Sequence, residues 1–436
     1  MDFLVTPTAL TGGTVTVPGD KSISHRALML AAIADGPCNV SGFLAGEDCL
    51  TTLAALEAMG IEIDRRTQTS LVVHGAGMHG LQRPAQNLYL GNSGTGMRLL
   101  AGLLCGQPFN TVLTGDDSLS GRPMKRVIEP LAGMGARIDS RRGLPPLTVY
   151  GGRALSGTTY ALPVASAQVK SAILLAALYA LGDTAIFEPA VTRDHTERML
   201  RAMGIELESD AGHIRLAGRQ TVQRADIEVP ADLSSAAFFV LAALLAPDCE
   251  LIIEGVGVNP TRTGFIDILR EMGADISLDD ARMLGHEPVA DLRIRSSELQ
   301  GIDVDPGLVS LAIDEFPLLF IAAAAANGSS RFSGIGELRV KESDRIAAMA
   351  KGLRQLGIRV DESGDGAVVH GGRLHGGRVD SCADHRIAMS FAVAGTIAGS
   401  AVRILRTDSV DTSFPGFAEC LRSIGADITS TGISAA

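Results

Sequence analysis

The pattern L-x-x-[MLI]-G-[IA]-x-[ILV] occurs six times along the chain: LEAMGIEI (56–63), LAGMGARI (131–138), LRAMGIEL (200–207), LREMGADI (269–276), LRQLGIRV (353–360) and LRSIGADI (421–428). Each copy reads as the last turn of a helix, a glycine, and a strand in which apolar and polar residues alternate. Glycine suits the junction because helices commonly end on one residue in the left-handed region, which only glycine enters freely. The six glycines (Gly60, Gly135, Gly204, Gly273, Gly357 and Gly425) lie 68–84 residues apart. Such units exceed the roughly 20–50 residues of a solenoid repeat. Strands alternating with helices in this way give an α/β class. Six units imply two pseudo-symmetric domains, each of three repeated α/β units.

Composition narrows the possibilities. A chain of 436 residues is long enough for two or three domains. With 46% hydrophobic and 20% charged residues it builds a packed core rather than remaining disordered. Aromatics are 4% and Trp is absent, so the core is aliphatic and platforms for stacking bases are lacking. The net charge of −11 argues against nucleic acid or an anionic membrane as partner. It does not argue against a small anion, because a local cluster of cations reverses the field locally. The six cysteines (Cys38, Cys49, Cys105, Cys249, Cys382 and Cys420) form no CxxC pair and read as free thiols of a reducing compartment. The chain opens without a charged segment followed by an apolar one. Its longest apolar runs, such as AAFFVLAALLA (236–246), are too short to span a bilayer. The expectation is a cytoplasmic protein.

A second pattern lies at the opposite ends of the helices. Polar clusters open the apolar runs: KSISHR before ALMLAAIA, GNSGTG before MRLLAGLL, SGRP before MKRVIEPLAGM, SAQVKS before AILLAALYALG. TRDHTER, DEF, KESDR and DHR open four more. Helix N-termini bind anions through free N–H groups and a partial positive charge. Ser, Thr, Asp and Asn there are also ordinary caps. Capping alone leaves the cations Lys21, Arg26, Arg122, Lys170, Arg193, Lys341, Arg345 and Arg386 unexplained, since the helix dipole disfavours positive charge at that end. A shared anion would offset the cost, which predicts a polyanion site in a cleft between the two halves.

Familiar motifs are excluded on spacing. In PGDKS, Asp20 separates Gly19 from Lys21, so the P-loop register fails. GNSGTG is not G-x-G-x-x-G. The nine histidines lack ligand spacing and no HExxH or G-x-S-x-G occurs, so no metal is implied. What remains is cations with a few carboxylates: Asp314-Glu315 at one helix start, and Glu342 between Lys341 and Arg345. A carboxylate in such company stays ionised and can move protons.

PGDKSISHR, LGNSGTGMRLLAG, GDDSLSGRPM, SAQVKSA, DEFP, RVKESDR and DHRIAM together closely resemble the 5-enolpyruvylshikimate-3-phosphate synthase family, over roughly residues 5–428. The resemblance implies two domains of three repeats that close on substrate. It implies 1–20 plus 234–436 as the first domain and 21–233 as the second, with a hinge near 18–21 and 230–234. The reaction implied is transfer of the enolpyruvyl group of phosphoenolpyruvate to the 5-hydroxyl of shikimate 3-phosphate, with release of phosphate and no cofactor. Lys21, Ser22, Arg26, Ser166, Gln168, Thr192, Arg193, Asp314 and Lys341 would bind shikimate 3-phosphate. Lys21, Gly94, Arg122, Gln168, Arg345 and Arg386 would bind phosphoenolpyruvate. Asp314, Glu342 and Lys21 would share the proton transfers.

Three positions depart from the family pattern. Ala167 stands where many members have a second serine. Thr412 stands where many have a lysine. The fourth cluster is the TRDHTE version. These mark a subgroup in which glyphosate tolerance occurs, yet Gly94 is the small residue of sensitive members, so glyphosate is expected to compete with phosphoenolpyruvate. The expected enzyme is a monomer without nucleic-acid or membrane partners. The related UDP-N-acetylglucosamine enolpyruvyl transferases share the repeats, but normally carry a cysteine where this chain has GDDSLSGRP, and asparagine where it has Ser22. A noncatalytic or nucleic-acid-processing scaffold is opposed by the charge and the scarce aromatics.

Overall fold

The computed structural model describes residues 1–432. The chain divides into two compact units: Met1–Pro18 with Pro230–Met283 and Pro288–Ala436, and Gly19–Val229 with Leu284–Glu287. The short Leu284–Glu287 turn therefore counts with the second unit, whereas the sequence reading left all of 234–436 in the first. Each unit has its own hydrophobic core.

The second unit contains three sheets built to one plan. Their strand orders are Ile227–Glu228, Asp35–Ser41, Ser70–Ala76, Ile63–Arg65; then Leu88–Tyr89, Thr111–Thr114, Leu144–Tyr150, Arg137–Arg141; then Thr159–Ala161, Asp183–Phe187, His213–Ala217, Leu207–Asp210. In each, the first two strands are parallel and the second and third antiparallel. The first unit repeats the plan with Gly13–Val15, Glu250–Gly257, Glu287–Arg295, Asp275–Leu284, and with Gly377–Asp380, Val402–Leu405, Asp2–Thr6, Asp427–Thr431. Its third sheet, Ser329–Ser333, Gly366–His370, Val360–Glu362, lacks the initial strand. Parallel bridges from Gln300 to Asn327 and from Asp303 to Arg331 stand in that strand's place.

Both units close on themselves. In the second, Ile227–Glu228 returns to complete the sheet that Asp35–Ser41 began. In the first, the N-terminal strand Asp2–Thr6 lies between Val402–Leu405 and Asp427–Thr431, so the sixth repeat is finished by the start of the chain.

Each repeat has two principal helices. One precedes the second strand of its sheet and is buried almost throughout: Lys21–Ala32, Gly94–Cys105 and Ala167–Ala177, then Leu233–Leu245, Phe316–Ala325 and His385–Ile397. The other carries the repeated motif: Glu47–Ala58, Lys125–Gly133 and His195–Ala202, then Gly264–Glu271, Arg345–Gln355 and Phe417–Ser423. All six motif glycines have positive φ, from 80° at Gly204 to 102° at Gly425, and a strand follows each. The junction is thus the one the pattern predicts. A side chain there would be strained in every repeat.

Candidate active site

In the second unit KSISHR and all but the first residue of SAQVKS are helical turns, whereas SGRP, the GNS of GNSGTG and the TRD of TRDHTER precede their helices. KSISHR is the first half of helix Lys21–Ala32, capped by Asp20, whose Oδ1 accepts from Ile23 N at 2.8 Å. Lys21 Nζ lies 3.1 Å from Asp48 Oδ2, in the first turn of the next helix. Arg26 is buried and held on three sides: Nε donates to Thr196 Oγ1 at 2.7 Å, Nη1 to Ser22 O at 2.8 Å, and Nη2 to Ser171 Oγ at 2.7 Å. Burial lowers its pKa to about 10, while Glu197 and Asp20 work the other way. Arg26 thereby braces three helices, a role the sequence reading did not give it.

Gly94 opens helix Gly94–Cys105, with Ser93 Oγ accepting from Gly96 N at 3.0 Å. A Cβ on Gly94 would lie 3.0 Å from Arg98 Nη1 and 3.1 Å from Arg122 Nη1. Arg122 donates to Asn92 Oδ1, and to Ser118 Oγ at 3.3 Å. Gln168 accepts from Arg98 Nη1 at 2.5 Å and donates Nε2 to Thr95 Oγ1 at 2.9 Å. Ser166 caps helix Ala167–Ala177, its Oγ 3.4 Å from Val169 N. Thr192 is buried and gives its hydroxyl to Glu188, while Arg193 follows it, half-buried, before helix His195–Ala202. Gly94, Arg122 and Gln168 are thus brought together. Sequence reasoning missed Arg98, which donates to Gln168 and to Pro123 O and lies against Gly94. Its spacing of four from Gly94 on one helix face was the available signal.

In the first unit one guanidinium organises the set. Arg345 is 2% exposed. Its Nε lies 2.8 Å from Asp384 Oδ2, its Nη2 2.7 Å from Glu342 Oε2 and its Nη1 3.5 Å from Asp314 Oδ1. Burial works against its charge, but Asp384, Glu342 and Asp314 outweigh burial and raise its pKa. Lys341 Nζ lies 3.8 Å from Asp314 Oδ1. Burial depresses the Lys341 ammonium, with Asp314 opposing the shift. Arg386 donates Nη1 to Asp314 O at 2.9 Å and Nη2 to Ser234 Oγ at 3.2 Å, and its Nη1 lies 3.3 Å from Glu315 Oε1. Ser234 also donates to Glu315 and accepts from Arg262 Nη2 at 2.6 Å. Thr412 closes a 3₁₀ turn by donating to Ser409 O at 2.7 Å, so the position where many members carry lysine supplies no charge.

At several of these helix starts a carboxylate stands at the cap. Asp20, Asp232, Asp344 and Asp384 cap four of the helices, accepting from Ile23, Ser234, Ala347 and Arg386 N–H groups. Sequence reasoning quoted DHR but gave Asp384 no part. It is wholly buried, caps one helix and clamps Arg345.

The family model of EPSP synthase (3-phosphoshikimate 1-carboxyvinyltransferase) matches residues 5–421. A 3-phosphoshikimate 1-carboxyvinyltransferase of Methylococcus capsulatus is 55% identical over 427 residues, 98% of either chain. One from Xanthomonas oryzae pv. oryzae is 54% identical over 406 residues, covering 93% of this chain and 92% of its own. The solved EPSP synthase of Acinetobacter baumannii superposes with a TM-score of 0.88 at 48% identity, covering 98% of this chain and all of that one. The chain belongs to the EPSP synthase family. Among the described residues no helix is long and apolar enough to cross a membrane.

Proposed function

We propose that the two charged sets divide the work of a single enolpyruvyl transfer. The reaction is that of the family: the enolpyruvyl group of phosphoenolpyruvate moves to the 5-hydroxyl of shikimate 3-phosphate and phosphate leaves. It proceeds by addition and elimination through a tetrahedral intermediate. Lys21, Ser22, Ser166, Gln168, Thr192 and Arg193, with Arg26 bracing them, take shikimate 3-phosphate together with Asp314 and Lys341. Lys21, Gly94, Arg122 and Gln168 take phosphoenolpyruvate with Arg345 and Arg386. Arginines suit its planar carboxylate and its phosphate because each can be bound through two parallel N–H groups.

The observation that carries this reading is the pair of carboxylates on Arg345. Asp314 meets Nη1 and Glu342 meets Nη2 of the same guanidinium. Addition needs a base for the attacking hydroxyl and an acid for the methylene carbon. Elimination then takes a proton back from the methyl group so formed. Asp314 takes the first role. Glu342, with Lys21 as the third titratable group, takes the second, and the cations stabilise the charge on the departing phosphate. Glyphosate, a small phosphonate anion, competes for the phosphoenolpyruvate groups around Gly94.

The test is phosphate release from phosphoenolpyruvate, with shikimate 3-phosphate or UDP-N-acetylglucosamine as acceptor. Release occurs with the first and not with the second. Glu342→Gln lowers kcat by roughly 10²–10⁴ while the KM for shikimate 3-phosphate stays near that of the parent. Equal kcat in parent and variant would remove Glu342 from the proton transfers.

A further inference from the structure

Lys170 lies one residue before Ser171 on helix Ala167–Ala177, and its side chain is only 1% exposed. Its ammonium has three N–H groups and meets three acceptors: Glu197 Oε1 at 2.7 Å, Glu188 Oε2 at 2.9 Å and Thr192 O at 3.2 Å. Glu188 accepts from the Thr192 hydroxyl with its other oxygen. These acceptors come from both ends and the middle of one segment. Glu188 follows strand Asp183–Phe187, Thr192 lies in the loop, and Glu197 lies in helix His195–Ala202. Pro189, Ala190 and Val191 between them are exposed.

A buried ammonium between two buried carboxylates is a costly arrangement. Replacing such groups by apolar ones of similar volume is often neutral or stabilising, so stability is a poor reason for it. What it does provide is position. An ammonium with three satisfied donors fixes the path of the 188–194 loop against the helix that carries Ser166 and Gln168. Beside it, Ser171 Oγ and Thr196 Oγ1 lie 2.7 Å apart, and both accept from Arg26. Two neighbouring residues on one helix thus tie the loop, the next helix and Arg26 into one polar block.

We propose that Lys170 and Glu188 are positioning residues for shikimate 3-phosphate, holding Thr192 and Arg193 where the phosphorylated ring is bound. The proposal rests on the assignment of Arg193 to that substrate. Glu188 is the lever, because it grips Lys170 with one oxygen and Thr192 with the other. A glutamine loses the charge that grips Lys170, and its amide nitrogen must donate to the Thr192 hydroxyl that the carboxylate accepts from, which weakens one contact and reverses the other.

The experiment uses the full chain and three variants, Glu188→Gln, Lys170→Met and Arg193→Ala. It reads KM for each substrate, kcat, calorimetric binding of shikimate 3-phosphate, and thermal unfolding. Glu188→Gln leaves Lys170 paired with Glu197, so the fold holds. It raises the KM and Kd for shikimate 3-phosphate about tenfold by misplacing the loop, with kcat and the KM for phosphoenolpyruvate within about twofold. Lys170→Met shows the same split with a lowered melting temperature, because two buried carboxylates lose their common cation. A proportional loss in every parameter, or an unchanged KM for shikimate 3-phosphate in Glu188→Gln while Arg193→Ala raises it, would overturn the positioning role alone. An Arg193→Ala variant with parental binding would overturn the site assignment, and this proposal with it.

Discussion

His25 is fully buried between two hydroxyls, Nδ1 2.8 Å from Thr52 Oγ1 and Nε2 3.3 Å from Ser93 Oγ. The hydroxyls can donate or accept, so a neutral ring is satisfied at both nitrogens in either tautomer. A charged ring is disfavoured by its surroundings: burial opposes it first, then Lys21 and Arg26, and the pKa falls to about 3. The unfolded chain takes a proton near pH 6.5 whereas the folded one does so only near 3. Unfolding therefore consumes a proton between those values. Stability falls as pH drops below about 6.5, by up to ~1.4 kcal/mol per unit from this group. In His25→Gln that contribution is absent. Urea unfolding at several pH values between 7 and 4.5 should give parent and variant curves that diverge, with the variant's decline shallower. Parallel curves would mean that His25 titrates alike in both states. The placement matters for function too. Ser93 caps the helix that Gly94 opens, and Thr52 shares a helix with Asp48, the partner of Lys21. Keeping His25 neutral thus keeps three parts of the binding set in register.

At the scale of elements, Gly102 allows a close helix approach in the second unit. A Cβ there would stand 2.2 Å from Ala172 O, in the neighbouring buried helix. Glycine inside a helix costs about 1 kcal/mol relative to alanine, so its use here reflects the packing distance and not the local backbone. Gly102→Ala gains that propensity and meets backbone that cannot yield as a side-chain tip would. The net effect is a loss of about 1–3 kcal/mol, as for overpacked cores, together with a raised KM, because the displaced helix carries Gln168 and Lys170. Thermal unfolding and substrate titration check both. A higher melting temperature with parental KM would show that the helices simply separate. This scale was also the most legible in the chain. The six L-x-x-[MLI]-G motifs mark helix ends and strand starts because a left-handed junction demands glycine and a buried helix face demands a leucine four residues earlier. The short parallel strands at the edge of one sheet in each unit were not legible. Gly13–Val15 and Ile227–Glu228 are three and two residues long, too short to show periodicity, and their partners are distant in sequence. Partners of the charges were equally hidden. Lys170 finds Glu188 and Glu197 only once two strands and a helix have folded, and nothing at spacings of three or four announces it.

For the whole molecule the central electrostatic problem is that a chain of net charge −11 must bind two anions. The two units meet it unequally. Around the second unit's set stand Lys21, Arg26, Arg98, Arg122, Lys170 and Arg193, against Asp20, Asp48, Glu188, Glu197 and Glu287, a local excess of one positive charge. Around the first unit's set, Lys341, Arg345, Arg386 and Arg262 face Asp314, Glu342, Asp384, Glu315 and Asp232, an excess of one negative charge. On the proposed assignment, a doubly charged phosphate ester is drawn to the second unit's groups, while the first unit supplies the carboxylates for proton transfer. Screening should expose the difference. The Debye length shrinks from about 10 Å at 0.1 M salt to about 3 Å at 1 M, and partly exposed cations such as Lys21 and Arg193 feel that change more than the buried Arg345. Calorimetric titration of the enzyme with shikimate 3-phosphate alone, from about 0.05 to about 0.5 M KCl, should show its Kd weakening several-fold. Glu342→Gln, which removes a negative charge from the other set, should leave that salt dependence unchanged. Were the Kd indifferent to salt, the excess on the second unit would already be neutralised by its own carboxylates. Binding would then have to come from directed hydrogen bonds at Ser166, Gln168 and the helix N-termini, with net field playing no part.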